Sequence, residues 1–123
     1  MGLIATTILK IFFKVPRPIF NTLSIEHSYS YPSGHALNSF LFYGAISYFI
    51  YHFTKNKKLS AVISVVCIFM VFSIGLSRIY LGVHRTSDVI AGYIFGFWLF
   101  VVIILIDKTI TFLRLIRESA NNS

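Results

Sequence analysis

Three long apolar runs dominate the pattern of hydrophobic and polar positions along the chain. They cover Ala36–Phe53, Leu59–Leu76 and Val89–Ile106, and none of them contains Asp, Glu, Lys or Arg. As a helix of about 18 residues, each run would be about 27 Å long, close to the hydrocarbon thickness of about 30 Å. Buried helices of a soluble bundle would normally carry a polar stripe. The pattern therefore predicts an all-α integral membrane helical bundle with three full transmembrane helices.

The two ends of the chain are expected to be less regular. Met1–Val15 is apolar apart from two lysines and is short for a full span, which indicates a partial N-terminal helix. After the third run, Thr109–Arg117 alternates apolar and basic residues, which favours a segment lying along the inner membrane interface. Ser119–Ser123 is expected to be frayed. We take residues 1–123 as a single domain, since this length allows one and no more.

Small residues inside two of the runs mark helix surfaces that can approach a neighbour closely. Gly44, Ala45 and Ser47 lie in the first run, and Gly92 and Gly96 form a small-xxx-small pair in the third. In lipid, this spacing lets helix backbones pack against each other. We therefore expect helix contacts at these positions.

Basic residues outside the runs predict the topology. The loop between the first two runs contains Lys55, Lys57 and Lys58, and further basic residues follow the third run. By the positive-inside rule both segments are cytoplasmic. Segments 14–35 and 77–88 then lie together on the extracytoplasmic face of the cell membrane, and the protein is multi-pass.

The overall composition agrees with a lipid environment. Hydrophobic residues make up 56% of the chain and charged residues 12%, whereas about a quarter of the residues of a soluble domain are charged. The net charge of +7 would suit a nucleic acid, but the basic residues do not form one stripe, so no nucleic-acid partner is expected. The single cysteine, Cys67, is interpreted as a packed or lipid-facing thiol.

Two residues between the second and third runs suggest catalysis. His84 and Asp88 are spaced i, i+4, so on a helix they would share a face. A carboxylate on one ring nitrogen would fix the tautomer and leave the other nitrogen to attack. Alternatively, Asp88 is the N-cap of the span that starts at Val89. The pair alone does not decide between these readings.

A second candidate motif, Pro32–His35, stands immediately before the first run. A helix N-terminus there would offer backbone N–H groups and the positive end of the helix dipole to an oxyanion. Gly34 would allow the backbone to approach a ligand closely, and Ser33 would add a hydroxyl. The alternative is an ordinary helix start with a serine cap and a surface histidine at His35.

Three cations stand beside the apolar segments, at Lys10, Arg17 and Arg78. Arginine is suited to bidentate contact with phosphate oxygens. The alternative is that these side chains extend to the membrane interface, which is the usual position of basic residues next to spans.

In order and internal spacing, these groups of residues resemble the tripartite signature of the type 2 phosphatidic acid phosphatase superfamily. The three parts are Lys10–Pro18, Pro32–His35 and Ser77–Asp88. The resemblance covers roughly residues 10–92, which is most of the chain. It implies an all-helical core in which the three motifs meet at one pocket.

The resemblance also implies roles for individual residues. His84 would be the nucleophile and form a phosphohistidine, Asp88 would orient it, and His35 would protonate the leaving oxygen and then activate water. The enzyme would need no metal and no other cofactor. The residues implied to bind phosphate oxygens are Lys10, Arg17, Ser33, Gly34 and Arg78.

The residues themselves favour catalysis without a metal. On the face expected to be extracytoplasmic, Glu26 and Asp88 are the only carboxylates. Two isolated acids make a poor magnesium site, because magnesium demands near-ideal octahedral oxygen coordination. Preorganised cations would then have to stabilise the charge of the transition state.

The resulting hypothesis is a membrane lipid phosphatase. It would hydrolyse a phosphate monoester or pyrophosphate such as a polyprenyl pyrophosphate, phosphatidic acid or phosphatidylglycerol phosphate. No specificity code is found in Ile19–Tyr31, where Tyr29 and Tyr31 are interpreted either as interface anchors or as a cover of the pocket.

One departure from the family leaves alternatives open. Family members commonly have six spans, with the first motif at the end of the third, so two and a half spans are expected to be absent here. The alternatives are an inactive or lipid-binding assembly subunit and, with vanadate, a haloperoxidase. The oligomeric state also stays open, a homo-oligomer included.

Overall fold

Helices make up nearly all of the described structure. A computed structural model describes residues 2–17 and 29–121. Those residues contain no β-strand and form four helices, which confirms the prediction of an all-α protein. The helices are α1 (Gly2–Phe13), α2 (Gly34–Phe53), α3 (Lys57–Tyr80) and α4 (Thr86–Asn121).

Short polar caps separate the helices. The Asn56 side chain accepts a hydrogen bond from the Leu59 N–H at 3.1 Å and begins α3. Thr54 ends α2, where its N–H donates to the Ile50 carbonyl. Because the side chain of an N-cap satisfies a backbone N–H that has no partner in its own helix, α2 and α3 can be joined by only three residues.

Two of the described helices, α3 and α4, are long and apolar enough to cross a membrane. Their most apolar 18-residue stretches have mean hydropathies of 2.6 and 2.8, and only 22% of each stretch is buried inside the chain. The first predicted span forms α2, whose 20 residues give about 30 Å. By the same hydropathy measure α2 is not apolar enough to count as a span, because it includes Asn38, Ser39 and His52.

The fourth helix corrects the expectation that the chain frays from Ser119, as far as the described residues extend. Thr109–Arg117 continues the helix of the third predicted span, and the described chain is helical as far as Asn121. The physical reason is that no Gly or Pro follows Gly96, so nothing interrupts the hydrogen-bond ladder. At 36 residues, α4 is about 54 Å long and exceeds the thickness of a bilayer core.

Helix α2 lies at the centre of the bundle and contacts each of the other three helices. A Cβ atom at Gly92 would lie 2.6 Å from the Ser33 carbonyl oxygen, and one at Gly96 would lie 3.0 Å from the Phe40 Cβ. The small-xxx-small pair therefore brings α4 against α2, as predicted. On the other side, the Ser47 and Ser64 hydroxyls are 2.6 Å apart and join α2 to α3.

The buried core is small and lies near the end of the bundle at which α2 and α4 begin. Leu37 and Val83 are fully buried and Val89 is nearly so, while Cys67 is a buried thiol deeper in the bundle. Most large apolar side chains of α3 and α4 are exposed. An apolar surface of this extent is typical of a protein that contacts lipid or another protein.

Candidate active site

The start of α2 is fixed to the start of α4. Ser33 is the N-cap of α2, is fully buried, and accepts a hydrogen bond from the Ala36 N–H at 3.4 Å. The Ser33 N–H donates to the Asp88 carbonyl at 2.9 Å. This bond places the second and third sequence motifs next to each other.

Asp88 is the third residue of α4 and is 1% exposed. Its Oδ2 accepts hydrogen bonds from the Arg85 N–H at 3.0 Å and from the Ser30 hydroxyl. The Asp88 N–H donates in turn to the Arg85 carbonyl at 3.0 Å. The bond from the Arg85 N–H to the Asp88 side chain is one half of a capping box, with Arg85 at the N-cap position. Because α4 begins at Thr86, Asp88 is not the N-cap that was one of the sequence-based alternatives.

His84 lies in the turn before α4 and is almost completely buried. Its Nδ1 is 3.6 Å from Asp88 Oδ2 and 3.4 Å from Ser30 Oγ. The i, i+4 pair is therefore close in space, although a turn and not a helix brings the two residues together. Gly82 has a φ of 69° in this turn, a left-handed conformation that glycine adopts without steric cost.

A large cavity lies next to the start of α2, where Gly34 and His35 form part of its wall. Its volume is about 1300 Å³, and its walls come mainly from α1, α2 and the segment that follows α1. Apolar residues such as Leu3, Ile11 and Phe42 form part of the wall. The sequence-predicted site residues that line it are Lys10, Arg17, Gly34 and His35.

Arg17 connects the cavity to the buried cluster. Its Nη1 donates a hydrogen bond to the Val83 carbonyl at 2.8 Å, one residue before His84. The chain reaches Arg17 through Lys14, whose N–H donates to the Lys10 carbonyl at 3.0 Å and whose φ is 48°. The first motif is thereby held against the third.

Four predicted site residues are not part of the cavity wall, namely Ser33, Arg78, His84 and Asp88. Ser33, His84 and Asp88 belong to the buried cluster, whereas Arg78 lies in the last turn of α3. It follows the cavity-lining residue Ile74 by four positions, so both lie on one face of α3. The buried Arg78 Nε makes no hydrogen bond to the described residues.

Two site residues were not found from the sequence. Ser30 is fully buried beside His84 and Asp88, and Thr6 packs so closely that a Cβ at Gly34 would lie 2.9 Å from its Cγ2. Neither residue carries a sequence signal, since each contact joins segments that are far apart in the chain.

The remaining predictions at the site concern tyrosines and carboxylates. Tyr29 lines the cavity, as one of the two readings expected, while Tyr31 packs edge-on against Phe13 with ring centroids 4.9 Å apart. Glu26 lies outside the described residues. Within residues 2–17 and 29–121, no group of three His, Cys, Asp or Glu side chains could hold a metal ion.

Together these features define a helical protein with two apolar membrane-span helices and a buried histidine–carboxylate cluster beside a basic cavity. A family model described as the PAP2 superfamily matches residues 1–112. The chain belongs to the PAP2 superfamily and is a membrane protein.

Two relatives are considerably longer than this chain. Over 107 residues it is 37% identical to phosphatidylglycerophosphatase B of Bacillus subtilis (strain 168), covering 84% of this chain and 51% of that one. Over 81 residues it is 35% identical to undecaprenyl-diphosphatase of Sulfolobus acidocaldarius, covering 66% of this chain and 35% of the relative.

The fold itself resembles a solved structure. The crystal structure of a transmembrane PAP2 type phosphatidylglycerolphosphate phosphatase from Bacillus subtilis matches with a TM-score of 0.81 and 33% identity. The match covers 89% of this chain and 55% of that one. The chain thus spans about half the length of this structure and of the Bacillus relative, and about a third of the archaeal one.

Proposed function

We propose that this chain contains the active site of a metal-independent lipid phosphatase, which hydrolyses a phosphate monoester or pyrophosphate of a membrane lipid. The observation that supports this most strongly is the convergence of the three motifs. Ser33 donates to the Asp88 carbonyl at 2.9 Å and Arg17 to the Val83 carbonyl at 2.8 Å. The names of the relatives agree, since each is a phosphatase of a lipid phosphate or pyrophosphate.

The first chemical step is transfer of the phosphoryl group to His84. With Nδ1 facing Asp88 Oδ2 and Ser30 Oγ, the attacking atom is Nε2. Its lone pair forms a P–N bond while the bond from phosphorus to the leaving lipid oxygen breaks. His35, in the cavity wall, gives its proton to that oxygen, as expected of a general acid.

The second step releases phosphate and restores the enzyme. Neutral His35 accepts a proton from a water molecule, whose oxygen attacks phosphorus as the P–N bond breaks. Inorganic phosphate leaves, and the electron pair of the broken bond returns to His84 Nε2. One histidine thus acts first as acid and then as base.

Cations and helix dipoles would hold the phosphate oxygens during both steps. The N-terminus of α2 presents backbone N–H groups near Gly34 and the positive end of the helix dipole. Lys10 and Arg17 line the cavity and supply positive charge there. Such preorganised donors commonly contribute the largest electrostatic part of catalysis.

The site is proposed to face the extracytoplasmic side of the cell membrane in a multi-pass arrangement. The N-termini of α2 and α4 and the C-terminus of α3 share one end of the bundle, while Lys55, Lys57 and Lys58 lie at the other end of α2 and α3. Apolar cavity-wall residues such as Phe42 would contact the part of the lipid nearest its headgroup. Phosphatidylglycerol phosphate and polyprenyl pyrophosphates are the substrates to examine first.

The function is tested by phosphate release from these two lipids, using protein purified in detergent with a chelator present. Wild-type protein is expected to turn over at least one of them, and His84→Ala to lose about 10³-fold or more in kcat. His52→Ala is the matched control, because His52 is exposed and stacks on Tyr48 in the last turn of α2, remote from the site. A wild-type rate no greater than that of His84→Ala would contradict the proposal.

A further inference from the structure

Ser30 contacts both of the residues that were expected to contact each other directly. It is fully buried, its Oγ donates to Asp88 Oδ2, and the same Oγ is 3.4 Å from His84 Nδ1. The direct separation of His84 Nδ1 and Asp88 Oδ2 is 3.6 Å. Both distances from Nδ1 exceed the range of about 2.7–3.2 Å typical of a hydrogen bond to nitrogen, and Ser30 Oγ is the nearer of these two groups to Nδ1.

A serine hydroxyl can serve both neighbours at once. It has one proton to donate and two lone pairs with which to accept. With its proton directed to Asp88, Ser30 Oγ can accept from a proton on His84 Nδ1. The hydroxyl then joins imidazole and carboxylate in one chain of donors and acceptors and keeps the proton on Nδ1.

The backbone fixes the Ser30 hydroxyl in place. The Ser30 N–H donates to the Val15 carbonyl at 2.9 Å, two residues before Arg17. Ser30 thus ties the segment that bears a phosphate-binding cation to the buried cluster. Like His84 and Asp88, Ser30 is buried and absent from the cavity wall, and its hydroxyl contacts those two residues.

We infer that Ser30 is a positioning residue that relays the Asp88 carboxylate to His84 Nδ1 and so directs His84 Nε2 at the phosphorus. This inference rests on the proposed function. It adds a residue that lies outside the three motifs, and it replaces a two-residue pair by a three-residue chain.

The kinetic test compares Ser30→Ala with Ser60→Ala in the full chain. Ser60 is a matched control because it is also a fully buried serine, at the opposite end of the bundle, and its hydroxyl makes no hydrogen bond to the described residues. Loss of one buried hydrogen bond to a charged group corresponds to about a 10–100-fold fall in kcat. KM should change less than about 2-fold, as expected when only transition-state stabilisation is lost.

A double-mutant cycle separates positioning from a general loss of structure. If Ser30 acts through Asp88, Ser30→Ala should cause almost no further loss of kcat in an Asp88→Asn background. Losses that multiply, or a Ser30→Ala kcat equal to that of Ser60→Ala, would overturn the inference. Should Ser30→Ala fail to fold, Ser30→Cys keeps a side chain of similar size with a weaker donor, and its kcat should likewise fall.

Nitrogen-15 NMR of the histidine side chains gives a readout that does not need turnover. With the His84 signals assigned by comparison with His84→Ala, the wild-type neutral ring should be protonated at Nδ1. Ser30→Ala should shift those signals and Ser60→Ala should not. Wild type without phosphatase activity but with this Ser30-dependent shift would contradict the proposed function alone. Signals unchanged by Ser30→Ala would overturn the positioning role.

Discussion

At the scale of single residues, the site separates buried groups from groups in the cavity wall. His84 and Asp88 are almost completely buried, whereas His35 is exposed and lines the cavity. In the proposed mechanism, fixed partners hold His84 in one orientation, and the exposed position of His35 allows it to exchange protons with water.

His35→Ala is expected to slow both chemical steps, by about 10²–10⁴-fold for a lipid substrate. The loss in the first step should shrink with p-nitrophenyl phosphate, whose leaving group needs no proton. The second step would still lack its base, so phosphoenzyme should accumulate. Rapid-quench measurements of phosphoenzyme and of released phosphate check this expectation. Equal losses with both substrates and no accumulation would contradict the role of His35.

At the scale of the elements, the contact between α2 and α4 sets the geometry of the site. Gly92 lies against the Ser33 carbonyl, close to the bond from the Ser33 N–H to Asp88. The same helix surface therefore determines both the packing and the separation of the second and third motifs.

Gly92→Ala should destabilise the bundle and lower activity together. The added Cβ would lie 2.6 Å from the Ser33 carbonyl oxygen, a contact that backbone atoms can relieve only by moving apart. Overpacking of this kind costs about 1–3 kcal/mol.

Gly44→Ala is the matched control for this change. Its Cβ would meet Phe100 at an ordinary 3.5 Å, and alanine is a better helix former than glycine by about 0.5–1 kcal/mol. The unfolding temperature in detergent and the rate of phosphate release should therefore fall for Gly92→Ala only. Equal stability and activity of the two variants would contradict the assigned helix contact.

Much of the fold and part of the site can be predicted from the sequence because their signals are local. Apolar runs mark the helices, and Ser33 was found as a cap beside the candidate chemistry. Ser30 could not be predicted, since its contact with Asp88 joins residues 58 positions apart. The continuation of α4 beyond Ile106 could not be predicted from the sequence pattern either. The charged residues that follow Ile106 indicate the end of a helix in the sequence, but in the structure they lie on the exposed turns of a longer helix.

At the scale of the whole molecule, the orientation in the membrane decides which lipids can reach the site. Ser87 and Lys55 are exposed at opposite ends of the bundle, so single cysteines at these positions report the orientation. In a Cys67→Ala background, a membrane-impermeant maleimide added to intact cells should label Ser87→Cys. Lys55→Cys should be labelled only after permeabilisation. The reverse pattern would place the cavity on the cytoplasmic side.

The central claim is that His84 becomes phosphorylated during turnover. The most direct measurement is rapid acid-free quenching of protein mixed with phosphatidylglycerol phosphate labelled with ³²P in its terminal phosphate, followed by peptide mapping. An acid-labile, alkali-stable label is expected on the peptide that contains His84, and none in His84→Ala. With ³²P-labelled p-nitrophenyl phosphate as the substrate, His35→Ala should carry more label than wild type. Release of phosphate by wild-type protein with no label at His84 in either wild type or His35→Ala would contradict the claim.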